Sequence, residues 1–177
     1  MIHRIVVCGA NGAGKSTLGQ YLAKRLGAKF LDIEDYYFSK PAADYPYAYA
    51  RATKEVRNLL LADMKRYDNI VLAAVKGDYG DEIESLLTGA VLVDAPKKIR
   101  QNRVRKRSFA KFGNRMLPGG DLYEREQQFF DMVERRCDQD IKDWLDAARV
   151  PTITVDGTKT KEHNAEIVIR WLDGGCA

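Results

Sequence analysis

Nine consecutive residues, Gly9, Ala10, Asn11, Gly12, Ala13, Gly14, Lys15, Ser16 and Thr17, run in the spacing G-x-x-x-x-G-K-[ST]. Glycines at these intervals let the backbone curl until successive amide hydrogens point inward, which makes a nest for phosphate oxygens. A helix that starts directly afterwards adds its positive end to the same anion. The lysine is then placed to reach the terminal phosphates of a nucleoside triphosphate such as ATP, and the serine hydroxyl to ligate Mg2+. The bland alternative is a structural glycine turn. Context decides against it: the run follows the β-branched stretch His3-Arg-Ile-Val-Val-Cys8 and precedes a helical pattern with Leu18, Tyr21, Leu22 and Leu26 on one face.

Three carboxylates, Asp32, Glu34 and Asp35, close the next strand-like stretch, Lys29-Phe-Leu-Asp-Ile. One can hold magnesium through water while another accepts the proton of an attacking hydroxyl. If the strand continues, alternation sends Asp32 and Glu34 to the same side. Acids in this position otherwise serve as a solvated turn or helix cap. A second charge feature is the stretch from Lys97 to Arg115, which carries nine Lys or Arg and no acid, within a chain of formal net charge +4. Without it the chain would be acidic, so the run is an electrostatic site for an anion, either the nucleotide or a nucleic acid.

The elements that must position these groups alternate. Further strands fit Asn69 to Val75, Ala90 to Ala95 and Pro151 to Asp156, and helical patterns fit Ala52 to Tyr67, Asp81 to Leu87, Lys97 to Arg107, Leu122 to Ala148 and Lys161 to Leu172. Continuous apolar strands between helices predict an α/β fold of three layers: a five-stranded parallel sheet with helices on both faces. One domain over residues 1–177 is expected. Two insertions break the alternation. Residues 36–68 begin with an aromatic cluster (Tyr36, Tyr37, Phe38, Tyr45, Tyr47, Tyr49) punctuated by Pro41 and Pro46, which either lines an acceptor pocket or packs the insertion onto the sheet. Residues 108–120 carry Gly113, Gly119 and Gly120 with few apolar side chains, the pattern of a mobile lid.

With these motifs in place, the chain resembles the small-molecule kinase branch of P-loop proteins, which includes shikimate, gluconate and adenylate kinases. The resemblance implies a P-loop NTPase fold and transfer of the γ-phosphate of ATP to a small-molecule hydroxyl or phosphate acceptor. Phe30-Leu-Asp32-Ile-Glu34 looks like the F-x-D-x-D stretch of shikimate kinase, which implies a metal role for Asp32 and an acceptor role for Glu34, with Asp35 alongside. Asp94-Ala-Pro96 followed by Arg103 and Arg107 is similar to the D-x-P-x6-R-x3-R pattern of adenylate kinases, implying contacts to adenine and phosphates. Gly113-Asn-Arg115-Met-Leu117 looks like the shikimate kinase lid, which implies a catalytic Arg115; the alternative is a solvent-exposed loop arginine. The helix with Arg135 and Arg136 is similar to the one that supplies an acceptor-binding arginine, and Asp156, Gly157 and Thr158 would flank the base.

Three departures leave the acceptor unassigned and shikimate itself disfavoured, the first being that the F-R-x-x-E acceptor motif of shikimate kinases has only a loose counterpart in Ala50-Arg51-Ala52-Thr53-Lys54-Glu55. Val75-Lys76-Gly77-Asp78-Tyr79 stands where shikimate kinases carry three glycines, and alanines end the third strand where adenylate kinases place Asp. Arg51 and Arg57 are candidates to pair an anionic group on the acceptor, with Lys76 and Gly77, in the stretch that runs to Tyr79, next in line. An ATP-binding regulatory module without acceptor phosphorylation and a nucleic-acid-directed P-loop protein are the rival functions.

Composition excludes several classes. The apolar runs are too short to span a bilayer, no signal-peptide pattern opens the chain, and a cytoplasmic protein without membrane or nucleic-acid partners is expected. Three spaced cysteines (Cys8, Cys137, Cys176) form no metal or disulfide framework and read as free thiols, and neither histidine has ligand spacing.

Overall fold

The computed structural model describes residues 2–38, 45, 47 and 49–174. The prolines at 41 and 46 and Cys176 fall outside them. Five strands, β1 (Arg4–Cys8), β2 (Lys29–Asp32), β3 (Ile70–Ala73), β4 (Gly89–Asp94) and β5 (Thr152–Asp156), pair in parallel in the order β2-β3-β1-β4-β5. Strand β1 lies at the centre because both its faces are apolar. Ile5 and Val7 join a core built with helices α1 (Lys15–Leu26) and α8 (Lys161–Leu172), while Val6 and Cys8 join the opposite core. That second core is closed by α3 (Thr53–Arg66) and α7 (Gln139–Ala147). The three-layer α/β arrangement expected from the alternation is therefore present. The chain leaves β1 for β2 on one side and later reaches β4 on the other, so a crevice opens at the carboxyl end of β1, where ligands bind in open parallel sheets.

Four local expectations change. Strand β2 ends at Asp32, and residues Ile33–Tyr37 form a short helix, α2, capped by the Asp32 carboxylate, which accepts from the Glu34 N–H at 3.1 Å. Strand alternation thus does not govern Asp32 and Glu34; side-chain capping won at this position. Helix α5 runs Lys97–Phe112, five residues beyond the expected end, and passes into a 3-10 turn at Gly113–Met116. The helix expected from Leu122 to Ala148 is two, α6 (Tyr123–Arg135) and α7, interrupted at residues 136–138. The one near Asp81 is the single turn α4 (Asp81–Glu84).

The stretch 108–120 is also better anchored than its composition suggests. Phe112 and Met116 are buried in a third apolar cluster with Val104, Leu122, Phe130 and Val133. This cluster belongs to the α5–α6 hairpin and is separate from both faces of the sheet. Among the described residues, no helix is long and apolar enough to cross a membrane.

Candidate active site

The glycine-rich loop joins β1 to α1 at the crevice. Its shape depends on close backbone approach: Gly12 has φ +80°, and a Cβ there would overlap the carbonyl oxygen of Arg100 and come within 2.9 Å of its carbonyl carbon. Arg100 is itself fixed. Only 6% exposed, it donates from Nε to the Ala95 carbonyl at 2.8 Å and pairs with Asp138. Arg103, one turn on, donates to the carbonyls of Gly157 (2.8 Å), Ala13 (3.3 Å) and Gly12 (3.4 Å), tying the loop to the β5–α8 turn. Within the first half of the basic run, Arg103 thus bonds the loop backbone directly, and Arg100, fixed by Ala95 and Asp138, backs the loop with its own main-chain carbonyl.

Lys15 donates to the Ala10 carbonyl at 3.0 Å, folded back over its own loop. Burial pushes its pKa down from 10.5 to about 8, with Arg107 adding to the effect and Glu34 and Asp32 opposing it. Ser16 Oγ donates to Asp32 Oδ2 at 2.7 Å. A hydroxyl and a carboxylate side by side are hard oxygen ligands that suit Mg2+. Among the described residues, no group of three or more His, Cys, Asp or Glu could hold a metal. A metal here would therefore take its remaining ligands from phosphates and water, as magnesium at nucleotides does. Cys8, directly before the loop, is buried, and burial pushes its thiol up to about 12, so it is not a nucleophile at neutral pH.

The lysine's depressed pKa has a measurable consequence. The unfolded chain holds the Lys15 proton up to its ordinary 10.5 and the folded chain only to about 8. Between those values the unfolded state binds more protons, so this group makes stability rise with pH across the window. A polyanionic nucleotide favours the ammonium, so its affinity is expected to fall as pH rises above 8, by up to about tenfold per pH unit. Calorimetry between pH 7 and 9.5, in buffers of different ionisation enthalpy, should show proton uptake on binding. A flat affinity with no uptake would contradict the lysine–phosphate contact.

A cavity of about 1180 Å³ extends from the loop. Asn11, Gly12, Gly14, Lys15, Ser16, Thr17, Asp32, Glu34, Arg57, Lys76, Arg103, Arg107 and Arg136 line it, so the structure brings this part of the sequence-derived set together. Arg136 donates to Asn11 Oδ1 at 2.7 Å, and Lys76 pairs with Asp78 at 2.8 Å. Tyr79, at the end of the same stretch as Lys76, also lines the cavity, and burial raises its hydroxyl pKa.

The remaining candidates lie behind or beside the wall. Gly9 and Ala13 are buried residues of the loop itself. Arg51 straps α2 to α3 through Glu55 (3.0 Å) and the carbonyls of Tyr36 (2.8 Å) and Asp35 (3.4 Å). Gly77 lies so close to the Trp144 ring that a Cβ there would come within 2.5 Å of it. Asp156 accepts from the Thr158 N–H and hydroxyl at 2.8 and 2.7 Å, which holds its pKa below the usual range, while Gly157 N–H donates to the Asp94 carbonyl at 2.6 Å. Arg115 pairs with Asp121 at 2.5 Å on the 3-10 turn, outside the cavity wall.

Two residues were not singled out from the sequence. Arg100 carries a signal, an arginine in the first turn after Pro96. Glu126 is 1% exposed and borders the cavity. Its signal is a carboxylate on the face of α6 that otherwise buries Phe130 and Val133.

Comparison with known proteins bears on the family and the fold. A family model described as AAA domain matches residues 5–128. Uncharacterized protein YqaC of Bacillus subtilis (strain 168) is 34% identical over 180 residues, covering 97% of this chain and 98% of that protein. A shikimate kinase of Clostridium botulinum (strain Alaska E43 / Type E3) is 25% identical over 146 residues, covering 77% of this chain and 86% of the kinase. Among solved structures, shikimate kinase from Acinetobacter baumannii in complex with shikimate has a TM-score of 0.62 at 18% identity, covering 98% of this chain and 94% of that one. Deoxyadenosine kinase from M. mycoides with bound dATP has a TM-score of 0.57 at 17% identity, covering 98% and 100%. These two structures share the fold.

Proposed function

The chain belongs to the AAA domain family, within the small-molecule kinase group of P-loop proteins, and on that premise we propose that it moves the γ-phosphoryl group of ATP to a small-molecule acceptor. The observation that carries this reading is the cavity itself. Lys15 and the Ser16–Asp32 pair stand at one end, and about 1180 Å³ leaves room beyond a nucleotide for a second ligand beside Glu34. Typical single-ligand pockets are smaller, roughly 300–1,000 Å³.

In the proposed reaction an acceptor oxygen attacks the γ-phosphorus, a new O–P bond forms, the bond to the β,γ-bridging oxygen breaks, and ADP leaves. Where the acceptor is a hydroxyl, Glu34 takes its proton. The loop amides, Lys15 and Arg107 neutralise charge on the transferring group, which is most of what such a transition state asks of a protein. Ser16 and Asp32 would hold magnesium, which supplies further charge neutralisation at the phosphates. Arg103, Asp156 and Gly157 form the adenine side, and Arg57, Lys76 and Arg136 are the acceptor-side cations. Arg51 and Gly77 would support the acceptor site through α2 and Trp144. Arg115 would act only if the 108–120 segment closes and exchanges its Asp121 pairing for phosphate.

The test is acceptor-stimulated ADP release, screened over nucleosides, nucleoside monophosphates, sugar acids and shikimate. Stimulation by one class is the expected result. ATP binding without stimulation by any of them would count against phosphotransfer.

A further inference from the structure

On the face of α6 that buries Phe130 and Val133 stands a carboxylate, Glu126. It is 1% exposed; Oε1 accepts from the Tyr45 hydroxyl at 3.1 Å, and Oε2 is buried with no hydrogen-bond partner. Among the described residues no cation pairs with it. A buried carboxylate oxygen left unpaired destabilises the protein that carries it, and such groups call for a functional explanation. Glu126 borders the active-site cavity and is held by Tyr45, which lines it too, so a ligand that shifts the Tyr45 side chain can bring a donor to the carboxylate.

The surroundings say what kind of donor. Tyr45, Tyr47, Phe112 and Phe129 line the same end of the cavity. Tyr45 and Phe112 are stacked at 5.4 Å, and Tyr47 stands edge-on to Tyr45 at 5.6 Å. Apolar ring faces suit a flat partner. Protein cations already occupy several of them: Lys111 Nζ lies 4.2 Å from the Tyr47 centroid and 5.5 Å from that of Phe112, and Arg125 lies 5.3 Å from that of Tyr45. Arg107 borders the cavity as well. A ligand ammonium would meet this positive field, whereas a neutral N–H donor would not.

Resting on the phosphotransfer reading, we infer that this end of the cavity recognises the acceptor as a nucleobase, the flat ring packing against the aromatic side chains and an N–H of the ring system donating to Glu126. The acceptor is then a nucleoside or a nucleoside monophosphate. Its base sits at the α5–α6 end and its reacting oxygen points toward Glu34 and the glycine-rich loop.

The experiment loads the wild-type protein with Mg2+ and a non-hydrolysable ATP analogue. It is then titrated calorimetrically with adenosine, cytidine, guanosine and their monophosphates, with shikimate and gluconate as non-aromatic comparisons. At least one nucleoside is expected to bind, as its monophosphate does. Glu126→Gln is expected to weaken that binding about tenfold or more while leaving affinity for the ATP analogue unchanged. The same variant should melt roughly 2–4 °C higher without ligand, because a neutral amide costs less to bury than a carboxyl group with an oxygen that lacks a partner. A carboxylate kept for structure predicts the opposite shift, and a lower melting temperature overturns the inference. So does undiminished nucleoside binding by Glu126→Gln. Binding of monophosphates alone, with no nucleoside, assigns recognition to the phosphate and also overturns it. Nucleosides that fail while the ATP analogue binds sink this inference alone. An analogue that fails to bind the wild type sinks the phosphotransfer reading and this inference together.

Discussion

Lys15→Ala is expected to lower turnover on the order of a hundredfold or more while leaving the fold intact. The ammonium meets negative charge that builds on the γ-phosphoryl oxygens, and loss of one such charged donor in a partly desolvated site costs about 3 kcal/mol of transition-state stabilisation. Nothing in the core depends on it: the lysine's hydrogen bond goes to the carbonyl of Ala10 in its own loop, and burial already disfavours its charged form. The melting temperature of the variant should therefore match the wild type or exceed it at neutral pH. ADP release with a stimulating acceptor and a thermal melt on the same samples check both halves. Wild-type turnover would remove the lysine from the mechanism, and a large fall in melting temperature would make it a structural residue.

The parts of this molecule that follow local rules were legible in the sequence. Apolar runs in β1, β3 and β4 announce strands buried on both faces, and the glycine spacing with Lys15 and Ser16 announces a phosphate nest. What was not legible depends on partners distant in the chain. Asp32 reads as a metal ligand ahead of a cap; in the fold one oxygen accepts from Ser16 and the other caps the start of α2. The basic run reads as an anion site, yet Arg100 and Arg103 spend their donors on backbone carbonyls, and only the packing of α5 against the loop shows it. Phe112 and Met116 looked too sparse to anchor a lid because their partners, Phe130 and Val133, lie on the next helix. Arg51 was a reasonable acceptor cation by type; its reach to Glu55 and two carbonyls is a property of the α2–α3 corner that spacing alone does not determine.

The brace around the glycine-rich loop makes Gly12→Ala the most damaging small substitution we expect in the chain. Two costs combine. At φ +80° an alanine is strained by about 1–2 kcal/mol, and its Cβ would overlap the Arg100 carbonyl oxygen. The clash is with backbone, and that backbone cannot retreat easily: the Arg100 side chain is bonded to Ala95 and Asp138, and Arg103 is bonded to Gly157. The loop must move instead, which turns its amides away from the positions that a phosphate needs. Affinity for Mg·ATP should fall on the order of a hundredfold, about 3 kcal/mol, and the melting temperature by several degrees. Gly119→Ala separates the two costs, since Gly119 has φ +88° but nothing within 4 Å of an added Cβ. That variant should show the strain as a lower melting temperature with nucleotide affinity unchanged. If Gly12→Ala binds Mg·ATP as tightly as Gly119→Ala does, the close contact between α5 and the loop does not set the shape of the phosphate site, and Arg100 is no brace for it.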